Sequence, residues 1–314
     1  MLKIRRSLSL WLVILLTAIS AAHAERQKVI IDTDIGDDID DAYALTLALH
    51  SPEFEILGVT TAWGDTALRA QLAARLVAAA GAGRIPVQPG VPTHSKSNFS
   101  QRAWAAAGPV PAHGSAVDFL LSEAKRYPHQ ITLIAIGPLT NLGAAIDRDP
   151  SGFRLFNRVV LMGGSIHCGY GNPRATTPPP PQPEYNIAMD PAAARKLLAS
   201  GVPIFMMPLD STQWKLDDGK LAEVAARSTP STDALLVLTT EWRLATHQHV
   251  PTLFDAMAVT YALRPDICPT TPLRLQVDDN GFTRVVEGQV NAHACLKGNG
   301  DAFFHLLLTR LSSH

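Results

Sequence analysis

The sequence predicts an α/β fold, a mainly parallel open sheet covered by helices on both faces. Three observations carry this. Short apolar runs alternate with helix-periodic stretches through most of the chain; the length suits one large α/β domain or two small ones; and no internal repeat or domain boundary breaks it. Residues 28–31 (Lys-Val-Ile-Ile) read as the first strand, and 40–50 as a helix with carboxylates at its N-terminal end, where the helix dipole favours them. Residues 54–61 read as a second strand, and 66–80 as an Ala- and Leu-rich helix carrying Arg69 and Arg75. Then come a helix over 115–126, a strand over 131–136, a helix over 139–146 and a strand over 159–162. A helix over 191–199, a strand over 204–208 and a helix over 233–247 follow, and 277–290 reads as a late hairpin turning at Asp279-Asn280-Gly281. The proline run within 176–183 excludes regular helix and central strand. It is expected to be a polyproline-like surface loop, with a lid over the site as the functional alternative.

The N-terminus carries Lys3, Arg5 and Arg6, then an apolar run over 8–19, then Ala22-His23-Ala24. A charged head, a short apolar middle and small residues at the cleavage positions form a secretory signal. The run is well short of the roughly 20 residues a membrane span needs. Residues 1–24 are therefore expected to be removed by signal peptidase, leaving residues 25–314 as a single exported domain, periplasmic or secreted. No later segment is long and apolar enough to span a membrane.

The formal net charge is −1 with acids and bases interspersed, which argues against nucleic acid or an anionic membrane as partner. Cys168, Cys268 and Cys295 make no C-x-x-C pair, so a thiolate metal site is not expected. Export permits one bridge, Cys268 to Cys295, but three buried small side chains is the favoured expectation.

The sharpest feature is Asp32-Thr33-Asp34-Ile35-Gly36-Asp37-Asp38-Ile39-Asp40-Asp41, six carboxylates in ten residues directly after an apolar strand. Left uncompensated, they would repel one another. A hard divalent cation is the economical remedy, since oxygen ligands suit calcium or magnesium. Gly36 allows the tight turn by which carboxylates on both sides face one ion. Helix N-terminal preference alone accounts for Asp40 and Asp41, but not for Asp32 and Asp34 at a strand end. An EF-hand fails, because counting from Asp32 puts Asp37 at the glycine position and Tyr43 at the glutamate position. A haloacid-dehalogenase-type phosphatase also places D-x-D after its first strand, but usually continues to Thr or Val where this chain has Gly36.

From here the chain resembles the inosine-uridine-preferring nucleoside hydrolase family across nearly its whole mature length. The family hallmark D-T-D-P-G followed by D-D-A reads here Asp32-Thr33-Asp34-Ile35-Gly36 and Asp40-Asp41-Ala42, two residues longer between the halves. Weaker matches follow in family order: Trp63-Gly64-Asp65, His113-Gly114, Ile136-Gly137-Pro138-Leu139-Thr140-Asn141 and Met162-Gly163-Gly164, then Gly171-Asn172, Glu184-Tyr185-Asn186 and Phe254-Asp255.

The resemblance implies a Rossmann-like nucleoside hydrolase fold and an enzyme that hydrolyses the N-glycosidic bond of purine or pyrimidine ribonucleosides to ribose and free base. It implies calcium held by Asp34, Asp41, Asp255 and the backbone carbonyl of Ile136, with the ion also touching the ribose diol and the attacking water. Asp34 would be the general base, and Asp40 would act in catalysis by accepting from a ribose hydroxyl. Asp32 would support the cluster from behind. Asn172, Glu184 and Asn186 match positions that grip the ribose hydroxyls. Met162, ahead of Gly163-Gly164 at a strand end, joins the substrate-binding set with Asp65, His113 and Phe254. The family's tendency is towards homodimers and homotetramers.

Two departures stand out. Well-studied members have a histidine before the late metal-binding Asp, which helps protonate the leaving base; this chain has Phe254, which can stack on a base but donates no proton. His247, His249 and His113 are the replacement donors the sequence offers. The family commonly has Asn where Asp65 stands, and Gly64-Asp65-Thr66 marks a variant branch. Phe254 also motivates an alternative outside enzymology: an exported, calcium-dependent nucleoside- or sugar-binding protein without turnover.

Overall fold

In the computed structural model, which describes residues 25–95, 98–110 and 114–312, ten strands alternate with helices. The strands are β1 (Gln27–Thr33), β2 (Phe54–Thr61), β3 (Val87–Pro89), β4 (Thr132–Ala135), β5 (Arg158–Met162), β6 (Ile204–Met207), β7 (Thr270–Leu273), β8 (Leu275–Val277), β9 (Thr283–Val285) and β10 (Ala292–Cys295). Eight form one sheet in the order β3-β2-β1-β4-β5-β6-β10-β7, and only the β10–β7 pair is antiparallel. The mainly parallel sheet expected from the alternation is thus the fold. The signal segment expected over 1–24 lies outside the described residues, as does His113.

Period-two alternation in the strands distributes side chains to two helical layers. Val29, Ile31, Ile134, Ile136, Val160 and Met162 pack into one core with the helices Asp40–Leu49, Thr66–Ala79, Pro230–Thr246, Ala256–Leu263 and Gly300–Leu311. Ile30, Leu133, Ala135, Val159 and Leu161 pack into the other with the helices Ala116–Arg126, Thr140–Arg148 and Pro191–Ala199. Runs that are apolar at every position, such as Val-Ile-Ile in β1, are what a sheet buried on both faces requires.

The strand order reverses between β1 and β4, so loops leaving their C-terminal ends diverge and open a crevice. Asp34 follows β1 and Ile136 follows β4, and the Ile136 N–H donates to the Asp32 carbonyl at 2.7 Å. The acidic loop therefore sits at the switch point because of topology.

Several elements differ from expectation. The helix read over 233–247 starts at Pro230, because Thr229 and Thr232 form a capping box and proline suits the first helical turn. The hairpin is formed by β8 and β9 around residues 278–282. The cysteines correct the favoured expectation: Cys268 and Cys295 are bridged, because the turn after the helix Ala256–Leu263 lands beside β10 with 5.6 Å between the Cα atoms. Cys168 stays free and buried. No described helix is long and apolar enough to cross a membrane.

Candidate functional site

Above the β1–β4 switch point lies a cavity of about 380 Å³ with a carboxylate floor and an aromatic wall. Asp34, Asp40, Asp41 and Asp255 all line it, each at most 7% exposed. Asp40 and Asp41 open the helix Asp40–Leu49, while Asp255 immediately precedes the helix Ala256–Leu263. These two helices pack together, which brings residues 215 positions apart in the chain side by side. The Asp255 N–H donates to Asp40 Oδ2 at 3.3 Å. One carboxylate oxygen from each of Asp40, Asp41 and Asp255 lies within 4.8 Å of the others, and repulsion from Asp34 reaches both Asp41 and Asp255.

Burial first, and mutual repulsion second, push the carboxyls of Asp40, Asp41 and Asp255 well above their usual range. Asp34 is pushed up to about 7 mainly by burial, against the pull of Arg69. Arg69 is the buried countercharge of the loop. Its guanidinium donates to the carbonyls of Trp63, Asp34 and Ile35 and pairs with Asp37 at 2.8 Å, so it organises the loop backbone. Gly36 takes φ +128°, the conformation the tight turn between the two acidic halves demands. An oxygen-only donor set from several buried carboxylates, with Arg69 held behind it by loop carbonyls and Asp37, fits a hard divalent cation.

Behind the floor, Asp32 is fully buried; its Oδ1 accepts from Thr60 and from Asn141 Nδ2 at 2.7 Å, and burial raises its carboxyl to about 6. Thr33 Oγ1 donates to Asp41 Oδ1 and so aims that carboxylate at the cavity. On the other side, Glu184 caps the helix Tyr185–Met189 and accepts from the N–H groups of Gly164, Asn186 and Ile187 at 2.9–3.2 Å. Burial lifts it to about 7. Asn186 Nδ2 donates to the Met162 carbonyl at 3.1 Å.

Of the residues singled out in the sequence, Asp34, Asp40, Asp41, Ile136, Met162, Glu184, Asn186, Phe254 and Asp255 share this cavity. Asp65 does not. It is exposed and caps the helix Thr66–Ala79 by accepting from the Leu68 N–H at 3.1 Å. Asn172 is exposed on the loop bearing the proline run, and its Oδ1 accepts from the Arg174 N–H at 3.0 Å. His247 and His249 are exposed and absent from the cavity lining, and His249 faces Asp218 at 3.7 Å. Sequence reasoning missed the aromatic and polar wall made by Tyr170, Trp242 and Thr246 beside Phe254. Only the tyrosine between Gly169 and Gly171, next to the quoted Gly171-Asn172, gave any signal.

Comparison with known proteins bears on the whole arrangement. A probable uridine nucleosidase 2 of Arabidopsis thaliana is 30% identical over 284 residues, covering 84% of this chain and 85% of its own length. The solved structure of a plant nucleoside hydrolase superposes with a TM-score of 0.80 at 25% identity, covering 92% of this chain and 99% of the other. A purine-preferring ribonucleoside hydrolase from Gardnerella vaginalis gives 0.76 at 25% identity, covering 91% and 98%. The family model described as inosine-uridine preferring nucleoside hydrolase matches residues 29–305, and this chain belongs to that family.

Proposed function

We propose that this chain is an exported, calcium-dependent nucleoside hydrolase that cleaves the bond between ribose C1′ and the base of a ribonucleoside with water. One observation carries the reading: Asp255 meets Asp34, Asp40 and Asp41 in a single cavity whose opposite wall is aromatic. A diol-bearing sugar suits the acidic floor and a planar base suits the wall.

Asp34, Asp41, Asp255 and the Ile136 carbonyl would hold the calcium. When bound, the ion supplies positive charge that offsets the carboxylate repulsion and makes a neighbouring water more acidic. Asp34 takes the proton from the attacking water, and Asp40 accepts a hydrogen bond from a ribose hydroxyl. Glu184 and Asn186 orient the sugar; the Asn186 amide nitrogen is committed to Met162, which leaves its Oδ1 to accept from a hydroxyl. As the C1′–N bond lengthens, positive charge spreads over the ring oxygen and C1′, and the surrounding carboxylates stabilise it. Asp32, held by Thr60 and Asn141, fixes the end of β1 beneath this floor.

Residues 25–314 form one domain in this reading, exported to the periplasm or medium. The Cys268–Cys295 bridge supports an oxidising compartment. A homodimer or homotetramer is the assembly we propose from the family resemblance. The direct test is incubation of the purified protein with inosine, uridine and adenosine, with and without a chelator. Ribose released only when calcium is present is expected; no ribose from any of them would refute the reading.

A further inference from the structure

The cavity is rich in acceptors, and of its lining donors Asn98 and Gln248 are exposed while Tyr185 adjoins the ribose-side Glu184 and Asn186. Phe254 and Met162 have no proton to give, and the Asn186 amide is held by Met162. The Trp242 indole is bonded to Asp38, and the Thr246 hydroxyl donates to the Trp242 carbonyl at 2.8 Å. Tyr170 differs. Its Oη accepts from the Tyr185 N–H at 2.9 Å, and no described residue accepts its own proton. Its ring packs edge-to-face on Phe254, centroids 5.9 Å apart at 82°, which sets it on the base side of the acidic floor.

Tyr170 is also held in place. The Gly169 N–H donates to the Pro179 carbonyl at 3.0 Å, and Gln213 bridges the Gly169 carbonyl and the Gly171 N–H at 3.0 and 2.7 Å. A Cβ on Gly171 would stand 2.6 Å from the Pro179 ring, and one on Gly169 would stand 2.5 Å from the Pro180 carbonyl. The proline run is packed against both neighbours of the tyrosine and lines none of the cavity itself. It is a buttress rather than the lid that the sequence offered as an alternative.

We propose that Tyr170 donates the hydrogen bond that carries the departing base, and that the 178–181 proline run holds it in position to do so. The inference rests on the hydrolase reading above. As the C1′–N bond breaks, its electron pair leaves with the base, and the Tyr170 hydroxyl donates to the nitrogen or oxygen where the negative charge collects. The water oxygen bonds to C1′, its proton passes to Asp34, and the base takes its final proton from solvent. A phenol stays protonated through neutral pH, so it supplies this donor without a histidine.

The test compares leaving groups in the full-length, calcium-supplied protein. A donor aimed at developing charge contributes on the order of 10²-fold, so Tyr170→Phe should lower kcat on inosine and uridine by about that factor. A riboside bearing p-nitrophenolate, which leaves without help, should lose less than about three-fold. Gly171→Ala, which pushes on Pro179, should reproduce the same leaving-group dependence. Equal losses on both substrate types, or no loss on either, would overturn the inference. A wild-type protein that hydrolyses no riboside would instead overturn the hydrolase reading.

Discussion

The two ends of the cavity are built by different means. The end proposed for the sugar is fixed by backbone: Asp34, Asp40 and Asp41 come from one loop and the first turn of the next helix, held by Arg69 and Thr33 from behind. The aromatic end, proposed for the base, is assembled from separate segments, with Tyr170 on a buttressed loop, Trp242 and Thr246 on a long helix, and Phe254 in the approach to another. Chemistry common to all ribosides can be locked into a rigid loop at a switch point. In the proposed reading, recognition of particular bases sits on elements that can vary independently.

The contrast breaks most visibly at Asp255. Asp255→Asn should cut ribose release by about 10³-fold, what several kcal/mol of lost charge stabilisation amounts to. An effect below ten-fold, read from steady-state kinetics, would separate the carboxylate floor from the chemistry.

Next in size is the response of stability to pH. Asp32, Asp34 and Glu184 are raised to about 6, 7 and 7 by burial. Their unfolded values lie near 4, so the folded, metal-free chain binds extra protons, and its stability falls as pH rises from about 4 to 7. A bound divalent cation keeps the floor charged without that loss. The rise in Tm on adding calcium should therefore grow between about pH 5 and pH 7. A calcium effect that stays constant or shrinks across that window would contradict this picture of the floor.

At the base end, Phe254→Ala should raise KM for nucleosides by up to about ten-fold, in keeping with the roughly 0.5–1.5 kcal/mol an aromatic contact contributes. A large loss of kcat with KM unchanged would place Phe254 in the chemical step instead. The smallest kinetic effect is expected at Asp65. Asp65→Ala removes a helix cap worth about 1 kcal/mol, so Tm should drop by a few degrees while kcat and KM hold. A clear rise in KM would return Asp65 to the sugar.

The same contrast governs what was legible in the sequence. The acidic loop could be read because its residues are contiguous and follow an apolar strand, and the strand-helix alternation gave the parallel sheet. Asp255 lay within reach through the Phe-Asp pair, though its meeting with Asp40 depends on two helices packing. Tyr170 carried only the signal of its neighbour Gly171, because its position depends on Gln213 and Pro179 clasping the glycines on either side. Asn172 was assigned to the sugar by the family resemblance; in this structure it is exposed and outside the cavity lining. The disulfide needed spatial proximity that spacing does not supply, and β10, four residues of Ala-His-Ala-Cys, carries too little periodicity to declare a strand.

The central claim is that carboxylates far apart in the chain share one calcium ion. Calorimetric titration of the metal-free protein with calcium at neutral pH tests it most directly, run on the wild type and on Asp255→Asn. One ion per chain in the wild type, bound much more weakly in the variant and more tightly when ribose is present, is the expected result. Equal binding by the two proteins, or none by either, would contradict it.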